Sequence, residues 1–247
     1  MLAMVEASFD GKRVMMRMIG IGRVSFPRTA PFMIAATLLA ALSVLSSLPA
    51  AAQTGLVRVP TWTRLAPATH PPGGDGAPMA YDAATGTAVL FNDSTWTWDG
   101  TTWTEQFPAT SPSGRFAAAM AYDAATHTAV LFGGKSNSTR LGDTWTWDGT
   151  TWTKQAPAAH PPARAQAAMA YDAATGTAVL FGGQSNSGLP LGDTWTWDGT
   201  KWAKQAPATH PAARLSPSMA YDAATSTVVL FSGDGVTGFL DDTWAWG

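Results

Sequence analysis

The chain has 247 residues, a net charge of −2 and no cysteine, which removes disulfides, thiolate nucleophiles and cysteine-based metal sites. Charged residues make up only 13%, beside 24 Gly, 17 Pro and 12 Trp, a turn-rich, aromatic-rich composition that belongs to a folded domain and not to a disordered chain. Five of the 15 basic residues lie in 1–52, against Glu6 and Asp10, so the remainder carries ten basic and fifteen acidic groups; an acidic body repels phosphate backbones, and no nucleic-acid partner is expected.

Residues 1–52 read as an export segment and 53–60 as a linker. Arg17, Arg23 and Arg28 lead into the apolar run 31–45, and small residues around Ala50, Ala51 and Ala52 suit cleavage before Gln53. This order predicts a signal helix and a secreted, periplasmic or cell-surface protein. The alternative is an uncleaved N-terminal membrane anchor, although Ser46, Ser47 and Pro49 interrupt the run a spanning helix would need. Met15, Met16 or Met18 would give a more ordinary signal length, so the residues before them read as an over-extended start.

Beyond residue 60 the chain repeats itself. Tyr81, Tyr122, Tyr171 and Tyr221 are equivalent, with successive offsets of 41, 49 and 50 residues, and a fixed period of this size marks a repeat architecture. The repeats run near 79–107, 116–157, 165–207 and 215–247. In the third, residues 167–172 form a short apolar strand a, and Gly176 suits the following tight turn. Residues 177–183 form strand b, stopped by Gly182 and Gly183. Thr194, Trp195, Thr196 and Trp197 alternate as strand c, Asp198 and Gly199 make a hairpin turn, and the segment from Lys201 returns as strand d.

Each repeat is therefore a four-stranded antiparallel meander with aromatic residues on both faces. Such a sheet must stack on its copies, which predicts an all-β fold, a β-propeller of four blades. The last repeat stops after strand c, while residues 61–66 carry the strand-d pattern, so these residues are expected to complete the last blade and close the ring. An incomplete propeller that completes itself by oligomerising is the alternative.

A period near 50, the double glycines Gly133-Gly134 and Gly182-Gly183 closing strand b, a Tyr in the hairpin before that strand, and a Trp on strand d resemble the kelch repeat. Arg115, Arg164 and Arg214, each seven residues before its Tyr, match the basic residue that opens kelch strand a. The resemblance covers 61–247 and implies a propeller domain like the central domain of galactose oxidase. Kelch-like propellers include protein-binding and carbohydrate-associated modules. The chain departs from the pattern at Asn92-Asp93, Gly74 and Ser232-Gly233, and family members commonly have six or seven blades. The copper chemistry of galactose oxidase would need a Tyr–Cys crosslink, which a chain without cysteine does not have.

No catalytic group stands out. His70, His160 and His210 recur in the d–a linkers, each followed by Pro, and are weak metal candidates because neutral imidazole suits Zn²⁺; a linker histidine bonded to backbone or solvent is the simpler reading. Asp99, Asp148 and Asp198 resemble the aspartate box of sialidase propellers, yet read as turn residues. Glu105 is the one Glu outside the export segment, so no glycosidase acid pair is visible. The b–c loops are the segments in which the copies differ most, and variable loops on a rigid scaffold are where binding sits. With the d–a linkers they would share one rim, giving Lys135, Asn137, Arg140, Arg164, Gln184, Asn186, Arg214 and Asp234 as candidate binding residues. The expectation is an exported, non-enzymatic module that needs no cofactor and binds a protein, peptide or glycan; a carbohydrate-active enzyme is the alternative.

Overall fold

The computed structural model describes residues 2–9, 12–19 and 61–247, and contains no helix among them. The chain divides into two units, Met1–Arg64 and Leu65–Gly247. In the first, β1 (Leu2–Phe9) pairs antiparallel with β2 (Lys12–Ile19), from Leu2↔Ile19 to Phe9↔Lys12. Reading this stretch as surplus leader sequence did not anticipate a hairpin. The apolar run 31–45, with the expected signal helix and cleavage site, lies outside the described residues.

The second unit is built around four larger antiparallel sheets in chain order, with small two- and three-stranded sheets in the loops beside them. Sheet I comprises β3 (Met79–Asp82), β4 (Thr87–Asn92), β5 (Ser94–Trp98) and β6 (Trp103–Gln106). Sheet II comprises β7 (Ala119–Asp123) and β8 (Thr128–Phe132), then, after the small hairpin β9 (Lys135–Ser136) and β10 (Thr139–Arg140), β11 (Thr144–Trp147) and β12 (Trp152–Gln155). For sheet III a short β13 (Arg164–Ala165) precedes β14 (Ala168–Asp172) and β15 (Thr177–Phe181). The loop strand β16 (Gln184–Ser185) then separates these from β17 (Thr194–Trp197) and β18 (Trp202–Gln205). Sheet IV comprises β20 (Ser218–Asp222), β21 (Thr227–Phe231) and β24 (Thr243–Trp246), with β19 (Arg214–Leu215), β22 (Asp234–Gly235) and β23 (Gly238–Phe239) pairing beside it as a small sheet of their own.

The turns follow the residue types. Asp82 Oδ1 accepts from the amides of Ala84 (2.9 Å) and Thr85 (3.3 Å), and Asp99 Oδ1 accepts from those of Thr101 (2.8 Å) and Thr102 (2.7 Å). These Asx turns fix the register of each meander.

The sheets bury themselves against one another. Strand β3 packs on β7, β7 on β14 and β14 on β20. Trp152 of sheet II lies edge-on to Phe91 of sheet I at 5.8 Å, and its indole Nε1 donates to Thr95 Oγ1 at 2.8 Å. Sheet III repeats the contact on sheet II, with Trp202 on Phe132 at 5.3 Å and on Thr144 Oγ1 at 2.9 Å. Trp152 and Trp202 are only 1% and 3% exposed, and burial of an aromatic ring of this size takes about 150–250 Å² out of water.

The row of sheets is open at both ends, which corrects the expected closure. Residues 61–66 form no strand, and Trp62 is fully exposed. Sheet IV has three strands in the order β20-β21-β24, so β24 is hydrogen-bonded on one side only. Exposure agrees: Met79 and Tyr81 of β3 are 56% and 63% exposed, and Phe231 of β21 is 48% exposed. Thr69 Oγ1 donates to the Trp103 carbonyl at 2.5 Å, as Thr110 does to that of Trp152 at 2.7 Å. The linkers ahead of sheets I and II are thus each anchored to the sheet that follows.

Candidate functional site

The loops between second and third strands share a face with the linkers between sheets, as the sequence implies. Strand β13 pairs with β16, β19 with β22, and Phe116 bridges to Lys135. Lys135, Gln184 and Asp234 are therefore structural equivalents, each directly after the Gly-Gly or Ser-Gly pair that ends a sheet's second strand and each paired with the residue following an arginine.

Those arginines are not on the surface, which corrects the placement of Arg164 and Arg214 as binding residues. Both side chains are fully buried. Arg164 clamps Asp193 through Nη1–Oδ1 at 2.7 Å and Nη2–Oδ2 at 2.8 Å, and also donates to the carbonyls of Gly182 and Pro162. Arg214 does the same with Asp242 and the carbonyls of Ser232 and Ala212, and Arg115 with Asp143 and the carbonyls of Gly133 and Ser113. A wholly buried guanidinium that gives four of its five N–H groups to carboxylate and carbonyl oxygens has no exposed donor for a ligand.

The carboxylates of the pairs are shifted accordingly. Burial alone would raise Asp193 and Asp143, but the Arg164 and Arg115 guanidinium groups and the indoles of Trp195 and Trp145 outweigh it and hold both below the ordinary carboxylate range. Asp242 is also held low, first by Arg214 and then by the Trp244 indole. Sheet I has neither partner: Gly74 stands for the arginine, and Ser94 Oγ takes the Trp96 indole at 2.9 Å. The joint loss of Arg and Asp from one repeat was the sequence signal that they form a unit.

The double glycine also has a structural cause. A Cβ on Gly133 or Gly182, at φ +67° and +70°, would lie 2.5 or 2.6 Å from the carbonyl oxygen of Arg164 or Arg214 in the next sheet's linker. Backbone bonds cross at this point, from Gly134 N to Arg164 O and from Gly183 N to Arg214 O, both 2.9 Å.

Inside this face a feature appears that the sequence did not disclose. Gly76, Ala117, Gln166 and Ser216, each five residues before its tyrosine, have φ of 60°, 52°, 60° and 52°. The amide of Ala117 donates to Gly76 O, that of Gln166 to Ala117 O, and that of Ser216 to Gln166 O, each at 2.8 Å. One continuous chain of peptide bonds thus runs from sheet to sheet. Three of the four residues are not glycine, at a cost of about 1 kcal/mol or more each, so no glycine pattern betrays the position.

These four residues line a cavity of about 400 Å³, open to solvent, whose wall also includes Asp75, Phe116, Lys135 and Gln184. The Lys135 ammonium lies 5.6 Å from the centre of the partly exposed Phe116 ring. Beside the cavity, Arg140 Nη2 donates to Gln184 Oε1, and the Arg140 amide donates to Asn186 Oδ1 at 2.9 Å, joining the loops of sheets II and III. Arg140 Nε is enclosed without an acceptor. Of the candidate residues, then, Lys135 and Gln184 line the cavity and Arg140 and Asn186 brace it. Asn137 is an exposed hairpin residue at φ 52°, and Asp234 holds the matching place in sheet IV without lining the cavity.

The linker histidines do not form a site. Nδ1 of His70, His160 and His210 each lies 2.9–3.0 Å from the carbonyl of the proline that follows it, which fits the Nδ1–H tautomer as donor. Among the described residues no three His, Asp or Glu side chains are grouped to hold a metal ion.

Comparison with protein-family models and with curated proteins gives no match.

Proposed function

We propose that the second unit is a kelch-like propeller segment, exported and non-enzymatic, that binds a peptide or a glycan through the face bearing the second-to-third-strand loops. The observation that carries this reading is the cavity bordered by Gly76, Ala117, Gln166 and Ser216. Backbone strain held at the same point of three successive sheets, at Ala117, Gln166 and Ser216 beside a cavity, is the pattern of a ligand clamp. The wall offers the chemistry such ligands need: an exposed aromatic face at Phe116, a cation at Lys135 and amides at Gln166 and Gln184. The opposite edge, by contrast, is occupied with Asx turns whose polar groups bond to their own backbone. Glycan and peptide arrays probed with the full chain test the reading. A hit is expected to be lost in Lys135→Ala and Gln184→Ala, and kept in Lys201→Ala on the opposite edge. Loss in Lys201→Ala alone would refute it.

A further inference from the structure

With the cavity as the binding site, a premise taken from the proposed function, we propose that its ligand is a short acidic oligosaccharide, one uronic acid carboxylate of which is held by Lys135 and Arg140. The loops at this face carry three equivalent rows of residues that lie directly opposite one another across short strands. Beside sheet II the row is Phe116, Lys135 and Arg140. Beside sheet III it is Ala165, Gln184 and Pro190, and beside sheet IV it is Leu215, Asp234 and Phe239. Residues directly opposite in an antiparallel pair share one face of the ladder, so each row presents its side chains together. The first row is doubly cationic, the second neutral, and the third carries an acid. A negatively charged ligand is therefore drawn to the first.

Lys135 and Arg140 are like charges placed directly opposite each other, which destabilises a ladder and which an anion between them would relieve. No carboxylate of the protein takes that role among the described residues, where the ion pairs are those of Arg115, Arg164, Lys201 and Arg214. Asp75, the acid in the cavity wall, is exposed and pairs with neither cation. The arginines differ in the same sense. Arg164 and Arg214 each give four N–H groups to oxygens of the protein. The Arg140 guanidinium gives one, from Nη2 to Gln184 Oε1, and its Nε has no acceptor. That one bond holds the guanidinium beside Gln184 in the wall that Lys135 also lines. A guanidinium with spare donors next to an ammonium selects a carboxylate, whose two oxygens match the guanidinium fork.

The rest of the wall favours a sugar as the bearer of that carboxylate. Ala117, Ala118, Ala165 and Ala167 give it a surface of small residues, whereas a bound peptide draws its specificity from pockets for alternate side chains. The Gln166 amide and the Ser216 hydroxyl supply donors and acceptors for ring hydroxyls. Phe116, 39% exposed, adds an apolar ring against which a sugar face can lie. Overall charge limits the ligand to few carboxylates. Outside 1–52 the chain has ten basic groups against fifteen acidic ones, and such a body repels a polyanion. One carboxylate placed at the cation pair meets attraction without that penalty.

Calorimetric titration of the full chain is the test. The probes are disaccharides ending in glucuronic or galacturonic acid, the same sugars with the carboxyl reduced to the alcohol, and a peptide with a single glutamate. At least one acidic sugar is expected to bind, and its reduction to weaken binding about tenfold or more, the scale of a lost charge-assisted hydrogen bond. The reduced sugar makes this comparison without altering the protein. Lys135→Gln and Arg140→Gln should each weaken the acidic sugar by a similar factor, and Lys135→Arg should keep it. Absence of binding by both acidic sugars overturns the proposal. So does equal binding of acidic and reduced forms, indifference to both substitutions, or preference for the peptide. A neutral sugar or a peptide lost in Gln184→Ala but indifferent to Arg140→Gln would overturn the carboxylate assignment alone and leave the cavity as the binding site.

Discussion

Arg164, in the linker ahead of sheet III, grips Asp193, just ahead of that sheet's third strand, in a two-pronged contact of 2.7 and 2.8 Å with the arginine side chain wholly buried. The pair ties a linker to the strand it faces, and through the Gly182 carbonyl it holds the loop that shapes the candidate site. Removing one member leaves a buried charge. Arg164→Ala is expected to lower unfolding stability by about 3–5 kcal/mol. In a double-mutant cycle with Asp193→Asn the two losses should fall well short of adding, by about 1 kcal/mol or more. Urea unfolding followed by tryptophan fluorescence reads both.

The same pairs set the acid limit. Asp143, Asp193 and Asp242 are held below the ordinary carboxylate range in the folded chain. The unfolded chain then binds protons first, so stability is fully present above about pH 4. It is lost progressively as the pH falls below that value toward the folded-state pKa values. Urea midpoints measured between neutral pH and pH 3 should fall below pH 4, and the fall should be shallower in a variant lacking Arg115 and Asp143 together. A midpoint independent of pH in this window would contradict the assignment.

Gly182 and Ser232 occupy one position in two sheets with different neighbours. At Gly182 an added Cβ meets the Arg214 carbonyl oxygen at 2.6 Å, so Gly182→Ser should destabilise by about 2–4 kcal/mol through strain and displacement of the linker. At Ser232 the residue already sits at φ 63°, and Ser232→Gly should be neutral or stabilising by a few tenths of a kcal/mol. Thermal melts of the two variants give the comparison.

His127 and Ser226 hold the turn position that Gly86 and Gly176 fill elsewhere, at φ 56° and 57° against 70° and 68°. Relief of left-handed strain outweighs the larger chain entropy of glycine, and His127→Gly should stabilise by about 0.5–1 kcal/mol. Calorimetry would show it as a raised melting temperature; a lowered one would mean that the 3.4 Å contact between His127 and the Tyr122 hydroxyl matters more.

How far the sequence reached follows from what each feature depends on. Strands and turns depend on neighbours in the chain, so the alternating Thr and Trp residues and the Asp-Gly turns located each meander. The shared face of loops and linkers follows from strand order and was equally legible. Arg164 and Arg214 were misjudged because burial of an arginine depends on a carboxylate 28 or 29 residues away. Closure was misjudged because matching a spare strand to an open edge says nothing of whether sheet IV reaches sheet I. The cavity rim stayed hidden because its conformation is imposed by hydrogen bonds between sheets on Ala117, Gln166 and Ser216, residue types that give no sign of a positive φ.

The central claim is that ligand is held at the cavity rim. Hydrogen exchange of the full chain, with and without a ligand captured on the arrays, tests it most directly. The account predicts added protection in the segments around Ala117, Lys135, Gln166, Gln184 and Ser216. Protection confined to the turns at Asp99, Asp148 and Asp198 would contradict it.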